Sequence, residues 1–265
     1  MNWGNNFDLY LFHRDIDFDL CCIDAGIDGL IIDLETRGKP ERQMGFDTEI
    51  NNHAIEDIYA LKSRSSAKIL CRINPLSTET EYELDTVLDS GADEIIVPMI
   101  HSLHQAEEIV ERTAGRCDIT LMVETREALH IVEDMCALPI HQLYVGLNDL
   151  AISRQSASIF LPLIDGQLDA IRISAMGTRL GFGGLTLPGS GNPLATSQLI
   201  NEMARLDCAF SFLRRSFYRD IVGLEPASEL SRLRAALTHA HSRQNSVIVS
   251  DRNSLQNEVE KIIGR

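Results

Sequence analysis

Basic charge is scarce in this sequence. Its 24 lysines and arginines stand against 39 acidic residues, a formal net charge of −15. That excludes a nucleic acid or an anionic membrane surface as partner, since both need a basic face. No apolar run approaches the ~20 residues of a membrane span, and the N-terminal MNWGNNFDLYLF lacks a basic region followed by a long apolar one, so a soluble, cytoplasmic protein is expected. The six cysteines include no C-x-x-C spacing and read as reduced core thiols. No G-x-G-x-x-G follows the first strand-like run, which counts against a dinucleotide fold. Nor does any linker or low-complexity stretch divide the 265 residues, 44% of them hydrophobic. One large core is implied.

What is present is alternation. Apolar runs at 7–12, Gly29 to Asp33, Lys68 to Asn74, Glu94 to Met99, Ile119 to Val123, Leu143 to Val145, from Gly181, and Ala209 to Leu213 read as strands. Helical spacing and capping signals lie between them: Asp15, Thr78 with Glu81, Ser102 with Gln105, a helix over 163–179, Asn192-Pro193 as cap and first turn, and a long helix from about Pro226 to His241. Eight such pairs with no second domain predict an α/β fold, a single (β/α)8 TIM barrel over 1–244. Residues 245–265 form a short C-terminal helical extension whose stripe of Leu255, Val259, Ile262 and Ile263 needs a partner surface, its own barrel or a neighbouring subunit.

In such a barrel the active site lies at the C-terminal strand ends. Read in order, those ends supply His13, Asp33 and Glu35, Arg72 and Asn74, Met99 with His101, Glu124, Asp149, Thr186 and the run from Arg214. Glu124 and Asp149 close two strands joined by one helical segment, so they emerge side by side at one sheet edge. Either acid alone reads more readily as a helix cap or a solvated loop charge than as a ligand. As a pair after the Gly146-Leu147-Asn148 turn, they form a seat for a hard divalent cation, Mg²⁺ or Mn²⁺. The loop after the second strand carries Arg37, Lys39 and Arg42, which suit a substrate carboxylate or phosphate but also suit ion pairs with the loop's own acids. Thr186 to Asn192 could cradle a phosphate through backbone N–H groups, or be a turn.

GIDGLIIDLE from Gly26, LCRINP from Leu70, GADEIIVPM from Gly91, MVET from Met122 and YVGLNDLA from Tyr144 resemble, in order, the motifs of the HpcH/HpaI aldolase and citrate lyase β-subunit family. The resemblance implies a metal held by Glu124 and Asp149, Arg72 beside the substrate's carbonyl or enolate oxygen, and backbone N–H groups of Leu147, Asn148 and Asp149 on a substrate carboxylate. It further implies a homo-oligomer that exchanges a C-terminal helix. At the position of the family's histidine base stands Thr36, which leaves the base open among His13, His101, Asp33, Glu35 and a metal-bound water. The leading expectation is a metal-dependent aldolase or carbon-carbon lyase taking a 2-oxo acid and an aldehyde through an enolate. The alternatives are an acyl-CoA lyase of the citrate-lyase kind and a barrel that only binds or assembles.

Overall fold

Eight parallel strands close into a barrel in chain order: β1 (Asp8–Phe12), β2 (Gly29–Asp33), β3 (Lys68–Arg72), β4 (Glu94–Val97), β5 (Asp118–Val123), β6 (Gln142–Val145), β7 (Arg179–Phe182) and β8 (Phe210–Phe212), with β8 pairing β1. This computed structural model describes residues 3–37 and 53–264. Around the barrel run α1 (Ile16–Asp24), α2 (Ile55–Arg64), α3 (Thr80–Asp89), α4 (Leu103–Thr113), α5 (Arg126–Leu129), α6 (Val132–Cys136), α7 (Leu147–Arg154), α8 (Gln167–Ser174), α9 (Thr196–Arg205), α10 (Ser216–Asp220), α11 (Pro226–His241) and α12 (Asn245–Ile262). The fold is the expected TIM barrel. None of its described helices is long and apolar enough to cross a membrane.

Strand side chains alternate between two faces, and the barrel sorts them into two cores. One residue parity packs on the helices. The other fills the lumen: Tyr10, Ile31, Leu70, Ile96, Met122, Tyr144, Phe210 and Phe212. Extending that parity by two residues fixes which side chains share the lumen's ends. Toward the C-terminal end it brings Phe12, Asp33, Arg72, Glu124, Gly146 and Gly183 to the mouth. Toward the N-terminal end it brings Asp8, Glu94, Thr120, Gln142 and Arg179 to the floor.

The sequence expectations differ from the structure at several joints. The helix expected over 163–179 ends at Ser174, and Arg179 and Leu180 already belong to β7, because the chain reverses at Gly177 with φ +93°. The single helix expected between β5 and β6 is two short ones, α5 and α6. Thr78 and Glu81 make no capping box; Thr80 instead accepts the Ser77 N–H through Oγ1, and α3 begins there. Asn192-Pro193 is a cis peptide rather than a helix start, and α9 begins at Thr196. Asp15 and Ser102 cap α1 and α4 as expected. On the tail, Leu255 and Val259 are buried against the same chain, and the Arg252 guanidinium reaches Glu202 and the Leu163 carbonyl.

Candidate active site

The mouth is built on Arg72. Its guanidinium donates to both carboxylate oxygens of Asp33, Nε to Oδ1 at 2.8 Å and the Nη2 group to Oδ2 at 2.7 Å. Its Nε lies 3.4 Å from Glu35, and its underside faces the Phe12 ring at 5.5 Å. Burial opposes the charge, but Asp33 and Glu35 more than offset it and hold the guanidinium ionised well above its usual range. Planar, bidentate and stacked, this is a place where lysine would not substitute.

Glu124, 2% exposed, shares the mouth with Arg72, near enough for the guanidinium charge to act on it. Its Oε1 accepts the Met99 N–H at 2.9 Å. Met99 holds a left-handed backbone, φ +54°, which costs a side-chain-bearing residue roughly 1 kcal/mol. Beside the other oxygen lies Gly146, where any Cβ would collide with the carboxylate. Burial first, then the charges of Asp149 and Glu35, push Glu124 up to about 8, although the Met99 N–H and Arg72 pull it down. A carboxylate raised by burial and then by two like charges fits a divalent cation: such a charge would relieve the repulsion and lower the pKa. Asp149 sits half-buried in the first turn of α7, where the N–H groups of Leu147, Asn148 and Asp149 lie outside the helix's own ladder.

Other expected site residues are placed elsewhere or tied down. Asn74, expected to bind substrate, spends its amide on the chain: Oδ1 accepts the N–H groups of Thr36 and Arg37, and Nδ2 donates to Leu34 O and Glu83. It braces the loop after β2. The Arg37 guanidinium donates to Ser77 and, at 2.5 Å, to Glu79. Lys39 and Arg42 lie outside the described residues. His13 follows Phe12, so its parity points it away from the lumen: Nδ1 pairs with buried Asp19 at 2.6 Å, and Asp19 also accepts the Arg14 N–H and the Tyr218 hydroxyl. His101 is exposed at the rim, 3.3 Å from Glu127. The loop after β7 is pinned by Thr186, which donates to Asp220 at 2.6 Å, and by Arg214, which donates to Asn192 O.

Sequence reading missed two contributors: Phe12, already described, and His53. The His53 Nδ1 accepts the Asp33 N–H at 2.8 Å, and burial, then the neighbouring His13, lowers its pKa, favouring the neutral ring. Nothing in its surroundings in the chain signals this.

A second acidic cluster lies at the opposite end of the barrel. Ligand atoms of Glu94, Asp118 and His141 all fall within 4.8 Å of one another, a group that could hold a metal ion. The space is contested by Lys68, whose ammonium lies 2.7 Å from Glu94 and 2.9 Å from Asp118. Glu94 also accepts from Thr120 and, at 3.0 Å, from Gln142.

Comparison with known proteins bears on family and fold. The family model described as HpcH/HpaI aldolase/citrate lyase matches residues 19–158, more than half the chain. No individual curated protein matches the sequence. Among solved structures, a citrate lyase from Burkholderia xenovorans LB400 has a TM-score of 0.61 at 14% identity, covering 97% of this chain and 92% of that one. An HpcH/HpaI aldolase/citrate lyase family protein from Burkholderia cenocepacia J2315 has a TM-score of 0.59 at 14% identity, covering 90% and 96%. The citrate lyase β subunit from Mycobacterium tuberculosis has a TM-score of 0.56 at 16% identity, covering 92% and 100%. At such identities the likeness to these structures is one of fold.

Proposed function

We propose that this chain, which belongs to the HpcH/HpaI aldolase/citrate lyase family, is a divalent-metal-dependent aldolase acting on a 2-oxo acid at the barrel mouth. The observation that carries the reading is Glu124: a carboxylate raised to about 8 by burial and then by the charges of Asp149 and Glu35, its Oε2 packed where a Cβ on Gly146 would stand. Glu124 and Asp149 are the protein ligands, and an all-oxygen set suits Mg²⁺ or Mn²⁺. The cation, when bound, supplies Lewis-acid charge to the substrate's ketone oxygen.

The remaining work falls to residues of the chain. Arg72, fixed by Asp33 and Phe12, faces the oxygen on which negative charge grows as the carbon-carbon bond breaks or forms, and it needs no reorganisation to do so. The N–H groups of Leu147 and Asn148 at the start of α7 receive the substrate carboxylate, where the helix dipole favours an anion. Glu35, 3% exposed and in contact with Arg72, takes the proton. His13 is a brace between β1 and α1, and its partner Asp19 fixes it there.

Exchange of the pyruvate methyl protons in deuterated water tests this. Loss of the methyl signal is expected only with added Mg²⁺ or Mn²⁺, and is expected to disappear in Glu35→Gln while His13→Gln retains it. Exchange without metal, or none with it, would overturn the reading; acyl-CoA binding in its place would move it to a thioester lyase.

A further inference from the structure

The barrel's aromatic lumen ends in a hydroxyl. Met122, Tyr144 and Gly181 are register partners in one row across β5, β6 and β7. Two residues further along the same strands stand Glu124, Gly146 and Gly183, the mouth row. The Tyr144 ring starts a row lower and stacks on Phe212, centroids 3.8 Å apart and 13° between planes. Its hydroxyl rises into the mouth row: it occupies the space a side chain at Gly183 would need, and a Cβ there would collide with it. Tyr144 is nine-tenths buried, at 9% exposure. The hydroxyl makes no hydrogen bond among the described residues, whereas those of Tyr10 and Tyr218 do. It is not a fully buried, unpartnered atom, so the ring is enclosed and the residue's remaining exposure lies at the hydroxyl.

We propose that the Tyr144 hydroxyl is a substrate-binding group of the mouth, donating a hydrogen bond to an oxygen of a small oxo acid held between Glu124, Arg72 and Gly183. This rests on the reading of the mouth as a 2-oxo acid site and adds to it a neutral donor. Burial raises the phenol's pKa, Arg72 opposing and Glu124 adding to the rise, which favours the protonated, donating form. Phe212 fixes the ring's tilt, so the hydroxyl has one position and loses little entropy on binding. A phenylalanine would keep the stacking and lose only the donor. Gly183 follows from the same packing: it leaves the hydroxyl its room.

Calorimetric titration of the full chain with Mn²⁺ alone, then with pyruvate or oxalate on the Mn²⁺-loaded protein, decides it. Tyr144→Phe is expected to bind Mn²⁺ as the parent does and to bind both acids about tenfold more weakly or worse, as loss of one hydrogen bond to a charged ligand implies. Gly183→Ala, which keeps the hydroxyl but drives a methyl into its place, is expected to weaken both acids likewise. The parent should show a tyrosine ultraviolet difference band on oxalate binding, absent in Tyr144→Phe. Equal affinity of parent and Tyr144→Phe for both acids would overturn the proposal and leave the metal site standing. A parent that binds neither Mn²⁺ nor the acids would overturn the underlying reading, and the proposal with it.

Discussion

Glu94 and Glu124 are both buried inward-facing glutamates of adjacent strands, and they live in opposite surroundings. At the floor, Glu94 has an ammonium at 2.7 Å and two further donors, Thr120 and Gln142. At the mouth, Glu124 has one backbone N–H, and burial together with two like-charged neighbours raises it to about 8. A buried charge is tolerated when paired and strongly disfavoured when not. The difference teaches that the floor carboxylates already have Lys68 as their cation, whereas Glu124 accepts no hydrogen bond from an ammonium or guanidinium among the described residues, which is the setting the proposed cation site would use. Both clusters could hold a metal by residue type alone; the lysine separates them.

The largest expected effect breaks the comparison at the mouth. Glu124→Gln or Asp149→Asn should lower metal-dependent pyruvate proton exchange roughly 100-fold or more, as loss of a preorganised electrostatic group does, while Glu94→Gln leaves exchange within a few-fold of the parent. Next comes the floor. Lys68→Met should destabilise the fold by about 2–3 kcal/mol in urea melts, short of the roughly 3–5 kcal/mol of a fully buried pair because the ammonium retains some solvent. Adding Glu94→Gln to that variant should recover part of the loss.

A pH series sharpens the contrast further. Glu124's folded value, about 8, lies above the ordinary 4.5, so its protonated form is the stabilised one. That contribution is full below about 4.5 and is lost as pH rises through about 8. The metal-free protein should therefore lose melting temperature from Glu124 over that window, and Glu124→Gln should flatten the slope. Mg²⁺ should raise the melting temperature more at pH 8 than at pH 6, where it must displace a proton. The smallest effect belongs to Gly146→Ala, whose methyl displaces the Glu124 carboxylate: Mn²⁺ affinity should fall about tenfold with the fold retained.

Much of this was legible in the sequence. Eight apolar runs in alternation with capped helices specify the barrel, and a period of two from Met122 to Glu124 or from Leu70 to Arg72 places both charged groups in the lumen. His13 shows the same rule violated: it stands at a strand end, but one residue past inward-facing Phe12, so it turns to Asp19. Asn74 belongs to a motif beside Arg72, yet its amide is consumed by the backbone of the loop it braces, a long-range pairing no local pattern carries. Tyr144 was hidden because an aromatic at an inward strand position reads as core, and only Gly183, far along the chain, reveals that its hydroxyl reaches the mouth.

One measurement tests the central claim most directly: the anomalous difference map of crystals soaked in Mn²⁺. The account predicts a peak at the mouth, within coordination distance of Glu124 and Asp149, and none among Glu94, Asp118 and His141, where Lys68 already sits. A peak at the floor with the mouth empty would contradict it.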